Sequence, residues 1–134
     1  MKSIQGLAHI AVLAKDIEMS IKFYEKLGGE CYARGAVQKP AGVNQLAMVS
    51  LWGFDLELIQ PGDGSAATAV DGRIPHFAVE VENLPLMIHE LKAMGVDTFL
   101  TEEPVELPCL FGGLRNIFFT GPDGEQIELI EHFN

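Results

Sequence analysis

Apolar and polar positions alternate at the start of the chain, over residues 7–13: Ile10 and Val12 fall on one face, and His9, Ala11 and Leu13 on the other. A period of two over that length predicts a half-buried strand. The period then changes to that of a helix, with Asp16 placed as N-cap, Ile17, Ile21, Tyr24 and Leu27 along one stripe, and Gly28-Gly29 as the stop. Three further segments, about 30–37, 44–51 and 54–60, read as strands, with Trp52-Gly53 as a tight connection between the last two. The unit is therefore βαβββ. The same order returns as a strand over 74–81, a cap at Asn83, a stripe of Leu84, Ile88, Leu91 and Met94 ending at Gly95, and strands near 97–101, 114–120 and 125–131. Pro85 is tolerated because it lies in the first helical turn. Gly121-Pro122-Asp123-Gly124 is a strong turn signal before the last strand. Between the copies, residues 61–68 are small and polar, as a linker should be.

The two halves are a repeat at the level of residues. Adding 67 to a residue number carries His9 onto His76, Asp16 onto Asn83, Ile21 onto Ile88 and Gly28 onto Gly95 without a gap. Leu56-Glu57-Leu58-Ile59 returns as Ile127-Glu128-Leu129-Ile130 at an offset of 71, so four residues have entered the second copy between Gly95 and Glu128. Insertions of that kind belong in loops. A chain of 134 residues, 48% hydrophobic, is the size of one domain, here built from modules of about 4–62 and 72–134.

Strand parity brings chemistry into the repeat. Leu56 and Leu58 flank Glu57, and Ile127 and Leu129 flank Glu128. If the helices cover the face that carries the aliphatic residues, then His9, Glu57, His76 and Glu128 all project from the other face. One such His is more often a solvated or hydrogen-bonded residue than a ligand, and one such Glu is most often the wet side of an amphipathic strand. Together they are harder to explain that way, because both residue types recur at equivalent places. Unpaired carboxylates are costly to bury, and two imidazoles with two carboxylates suit a divalent transition metal. His89 matches Lys22 and reads as solvated; His132, two residues beyond Ile130, reads as solvent-facing or as a support to the ligands.

Charge and cysteine content narrow the classes of partner. With 19 acidic against 9 basic residues, a formal charge of −10 opposes binding to nucleic acid or an anionic membrane and leaves small molecules open. Residues 1–6 contain no apolar signal core, and no run is long enough to span a bilayer, so a soluble, cytoplasmic protein is expected. Cys31 and Cys109 form no Cys-x-x-Cys pattern and read as bland thiols.

On these residues the chain resembles the vicinal oxygen chelate superfamily: paired βαβββ units, His9 and His76 opening them, Glu57 and Glu128 closing them, and Gly-Pro-Asp-Gly before Ile-Glu-Leu. The resemblance covers essentially the whole chain. It implies an α+β fold in which the two modules form a curved mixed-sheet cup with helices on its outer face. It also implies one divalent ion per site, Zn, Ni or Co, with Fe or Mn as further options, and a homodimer in which His9 and Glu57 of one chain meet His76 and Glu128 of the other. Within the superfamily the set of two His and two Glu is most similar to glyoxalase I, a metal-dependent lyase or isomerase that transfers a proton beside a chelated carbonyl. Glu57 or Glu128 would be the base, and the resemblance favours Glu128. The alternatives are an epimerase like those acting on methylmalonyl-CoA, a non-catalytic drug-binding or metabolite-binding protein like those of bleomycin resistance, and an iron-dependent dioxygenase.

Departures from that pattern bear on the substrate. Leu13 and Pro61 stand where similar glutathione-using members carry an Arg and an Asn that contact glutathione. Arg34, Arg73 or Arg115 could grip another anionic group, and Arg115 is best placed because it follows the insertion-bearing loop. That loop, residues 105–113, is apolar, contains Phe111 and ends in two glycines. It reads either as a lid over an apolar ligand or as a surface buried between subunits, so Arg115, Phe111 and Leu13 are the expected substrate contacts.

Overall fold

The computed structural model describes residues 7–67 and 76–133. The expected strand start at 74, the last linker residue Thr68, and Arg73 lie outside the described residues, as does the segment 1–6. Contacts divide the chain into two compact units, Met1–Val70 and Asp71–Asn134.

The first unit runs β1 (Ile10–Leu13), α1 (Ile17–Lys26), β2 (Glu30–Lys39), β3 (Gly42–Leu51) and β4 (Phe54–Gln60). Its sheet has the order β1-β4-β3-β2, with β1 parallel to β4 and the other neighbours antiparallel. Helix α1 begins where expected, because the Asp16 carboxylate accepts from the backbone N–H groups of Glu18 and Met19 at 3.1 and 3.2 Å. Ile17, Ile21 and Tyr24 are buried on its inner stripe, and the helix packs against β2, β3 and β4. Beneath it lie Ala47, Val49, Leu51, Leu56 and Leu58, all essentially without solvent contact. The Trp52-Gly53 connection has positive φ at both residues, 50° and 89°. That is the backbone twist of a two-residue hairpin, and a tryptophan holds it while its indole N–H donates to the Leu27 carbonyl at 2.9 Å, closing the helix end.

The second unit runs β5 (His76–Glu80), α2 (Leu84–Ala93), β6 (Val105–Leu107), β7 (Leu114–Thr120) and β8 (Gln126–His132), in the sheet order β5-β8-β7-β6. Asn83 caps α2 by accepting from the Leu86 N–H at 3.1 Å, and the helix packs on β8. The repeat extends to the hydrogen bonds that join the elements. Ala14 N–H donates to the Ile59 carbonyl at 2.7 Å, and its counterpart Val81 donates to Ile130 at 2.8 Å. Gln60 Oε1 accepts from Ile17 N–H at the start of α1, and Glu131 Oε1 accepts from Leu84 N–H at the start of α2.

The expected pair of βαβββ modules is present as two four-stranded mixed sheets, one in each unit, and only the strand boundaries are corrected. The strand expected over 97–101 is reduced to one bridge, Phe99 with Phe119. The third partner on that side is β6, at Val105–Leu107, inside the segment read as a lid. Phe99 turns inward against Phe119, at 5.6 Å between ring centroids, whereas Leu100 is 52% exposed. Leu56→Ala and Leu129→Ala are each expected to destabilise the protein by about 2–5 kcal/mol in urea unfolding. Leu100→Ala is expected to change it by no more than about 0.5 kcal/mol.

Candidate metal-binding site

The burial that drives folding also sets the direction of the polar side chains. Leu56 and Leu58 are buried under α1, so Glu57 between them takes the opposite face of β4. In the parallel ladder Ala11 sits beside Glu57, and His9, two residues before Ala11, shares its face. His9 Nε2 lies 3.3 Å from Glu57 Oε1. The second unit repeats the arrangement: Ile127 and Leu129 are buried, Glu128 faces away from them, and His76 Nε2 lies 3.0 Å from Glu128 Oε1.

The two pairs have different surroundings. Glu128 is only 8% exposed. Its second oxygen, Oε2, accepts from Asn116 Nδ2 at 2.8 Å, and the Phe118 and His76 rings stand perpendicular with centroids 5.1 Å apart. A carboxylate so nearly buried needs such donors. The ladders pair Met48 with Glu57 and Phe118 with Glu128, and Leu46 with Ile59 and Asn116 with Ile130, so Leu46 occupies in the first unit the place of Asn116 in the second. Glu57 therefore gains no amide donor from that position. Near it, Asp55 accepts a hydrogen bond from Tyr32, and desolvation together with that bond and the carboxylate charge raises the Tyr32 phenol above its ordinary pKa.

The remaining candidates are distributed as follows. Leu13 lies on the His9–Glu57 face, half-exposed beside Ile59. Arg115 is adjacent in sequence to Asn116 and so takes the opposite face of β7 from His76 and Glu128. There it sits between Glu106 and Glu131, with Nε 3.8 and 3.6 Å from their carboxylates, over the ring of Phe133. Arg115, expected as a substrate contact, thus lies on the face away from the His76–Glu128 pair. Arg34 donates to Glu18 at 2.6 Å on the surface, and that hydrogen bond raises its pKa. Phe111 is 79% exposed with φ of 48°, a left-handed conformation unusual for an aromatic residue. Cys109 is exposed and Cys31 half-buried. Sequence reasoning missed Asn116, and it missed a second contact on the same face of the second unit, His132 Nδ1 with Glu80 Oε2 at 2.9 Å.

Each His–Glu pair has the span of two adjacent ligands on one ion. Bonds of about 2.1 Å place neighbouring ligand atoms about 3.0 Å apart at a right angle and about 3.4 Å apart at the tetrahedral angle. The observed 3.0 and 3.3 Å fall in that interval, and both donor types are ones that zinc, nickel and cobalt accept. Each pair alone supplies two ligands. Among the described residues no group of three or more His, Cys, Asp or Glu side chains is gathered as a metal site.

A family model described as Glyoxalase/Bleomycin resistance protein/Dioxygenase superfamily matches residues 8–111. The chain belongs to this superfamily. Among curated relatives of this superfamily member, "Glyoxylase I 4" of Arabidopsis thaliana is 26% identical over 94% of the chain and 70% of the relative. A "Trivalent organoarsenical cleaving enzyme" of Thermomonospora curvata is 29% identical over 90% of the chain and 73% of the relative. In fold, the glyoxylase/bleomycin resistance protein/dioxygenase domain from Frankia sp. EAN1pec superposes with a TM-score of 0.75 at 21% identity, covering 98% of this chain and 95% of that one. No helix of this superfamily member is long and apolar enough to cross a membrane, among the described residues. Asn116→Leu, which installs the first unit's residue, is expected to cost about 1–3 kcal/mol in urea unfolding by leaving Glu128 Oε2 without its amide donor.

Proposed function

We propose that the protein is a metal-dependent, glyoxalase I-like lyase or isomerase, in which His9, Glu57, His76 and Glu128 are the ligands of one divalent ion, Zn, Ni or Co. The observation that carries this reading is the recurrence of one His–Glu contact, at ligand-to-ligand spacing, on the same strands of both units. Membership in a superfamily that includes a relative named as a glyoxalase supports it. A homodimer that shares the ligand set between chains is part of the proposal, as is a cytoplasmic location.

The bound ion would act as a Lewis acid on a carbonyl and its neighbouring oxygen. Glu128 removes the proton from the hydroxyl-bearing carbon beside the carbonyl and returns it to the former carbonyl carbon, while the hydroxyl proton passes to the former carbonyl oxygen, so the substrate is isomerised with no net gain or loss of atoms. Asn116 holds Oε2 of that carboxylate and keeps its direction fixed, while Oε1 would loosen from the ion to take and return the proton. Glu57, without an amide donor at the matching place, serves as ligand. Leu13 contributes an apolar wall on the first unit's face, and Phe111 is an exposed aromatic available to cover a ligand.

A second relative is named as a trivalent organoarsenical cleaving enzyme. Cys31 and Cys109 form no Cys-x-x-Cys pair for a soft, thiophilic arsenical, and this favours the isomerase reading.

Calorimetric titration with cobalt is expected to give one ion per complete set of four ligands, with affinity falling at least about tenfold in both His9→Ala and Glu128→Ala. A wild-type protein that takes up no divalent ion would end the proposal. Assayed on the hemithioacetals that methylglyoxal forms with small thiols, Glu128→Gln is expected to lose about 10²–10⁴ in kcat, and Glu57→Gln to act mainly through metal affinity. Equal losses of kcat in the two variants at saturating metal would reject Glu128 as the base.

A further inference from the structure

On the second unit, the face that carries His76 and Glu128 also carries the contact between His132 Nδ1 and Glu80 Oε2 at 2.9 Å. Glu80 is four residues beyond His76 on β5, and His132 is four beyond Glu128 on β8, so parity places all four on one side. The separation along the strands is about 13 Å. Ala78, Phe118 and Ile130 make an apolar strip on the same face, with Phe118 level with Glu128, Ile130 one step further towards Glu80, and Asn116 beside Ile130.

Stability does not explain the contact. The Glu80 side chain is 73% exposed and His132 a third exposed, and a pair so open to water adds little to stability. The repeat does not require it either, since the equivalent positions of the first unit are Leu13 and Pro61. What the contact does is hold a carboxylate in one orientation at the end of an apolar strip that begins at the His76–Glu128 pair.

We propose that Glu80, oriented by His132, is a recognition residue for the distal end of the substrate, and that it selects a cationic or hydrogen-bond-donating group and disfavours an anionic one. This rests on the metal-dependent reading above. A substrate chelated at the His–Glu end would lay an aliphatic spacer over Phe118 and Ile130 and present its far terminus to the Glu80 carboxylate. The substrate class is then a short chain with chelating oxygens at one end and an amine, amide or hydroxyl group at the other.

The test uses three bidentate hydroxamates of equal chain length, aminocaproyl, caproyl and adipyl, which end in ammonium, methyl and carboxylate. Their binding to the cobalt-loaded protein is measured by calorimetry at about pH 8. The ammonium probe is expected to bind about fivefold or more tighter than the carboxylate probe. Glu80→Gln is expected to bring the three within about twofold, and Glu80→Lys to invert the order, with cobalt affinity unchanged in both. Equal affinities in the wild type, or a preference that survives Glu80→Gln, would overturn the inference while leaving the metal site standing. Stoichiometric cobalt with no binding of any hydroxamate would overturn the proposed function, and this inference with it.

Discussion

The two-residue period of a β-strand is the constraint on which the rest depends. Burying Leu56 with Leu58, and Ile127 with Leu129, beneath a helix leaves Glu57 and Glu128 only the opposite face. A slip of one residue in register would bury the carboxylates and expose the aliphatic side chains, so the hydrophobic term that stabilises each unit also fixes where its polar chemistry stands. The helix caps reinforce this. Gln60 and Glu131, three residues beyond the two glutamates, lie on the helix side and accept from the first N–H groups of α1 and α2.

Within that shared plan the two units have diverged. The second unit surrounds its carboxylate with Asn116 and the Phe118 ring and adds the Glu80–His132 contact, whereas the first has Leu46, Met48, Leu13 and Pro61 at the corresponding places. A donor that holds one carboxylate oxygen limits the rotation of that group and stabilises its charge. The division of labour proposed for the two glutamates follows from that difference.

Much of this was legible in the sequence, and what was not has physical causes. The helices were legible because Asp16 and Asn83 are capping residues set before long stripes, and β4 and β8 because alternation runs through each of them. The strand at 97–101 was misplaced because Thr98-Phe99-Leu100 alternates as a strand does, yet only Phe99 finds a partner. β6 was missed because three residues, Val105–Leu107, are too few to show a period, and the proline and glycines that follow suggested a loop. That His9 shares a face with Glu57, and His76 with Glu128, was legible from strand parity and the repeat. Asn116 was not, because its face relative to Glu128 depends on the register of β7 against β8, which the sequence pattern leaves unspecified. The same parity separates Arg115 from the face where a substrate contact was expected of it.

The central claim is that both imidazoles and both carboxylates bind one ion, and X-ray absorption on the cobalt-loaded protein tests it most directly. The account expects the multiple-scattering signature of two imidazoles on each cobalt, falling to one in His9→Ala and in His76→Ala. A shell of oxygen donors with one imidazole or none in the wild type, unchanged by either substitution, would contradict it.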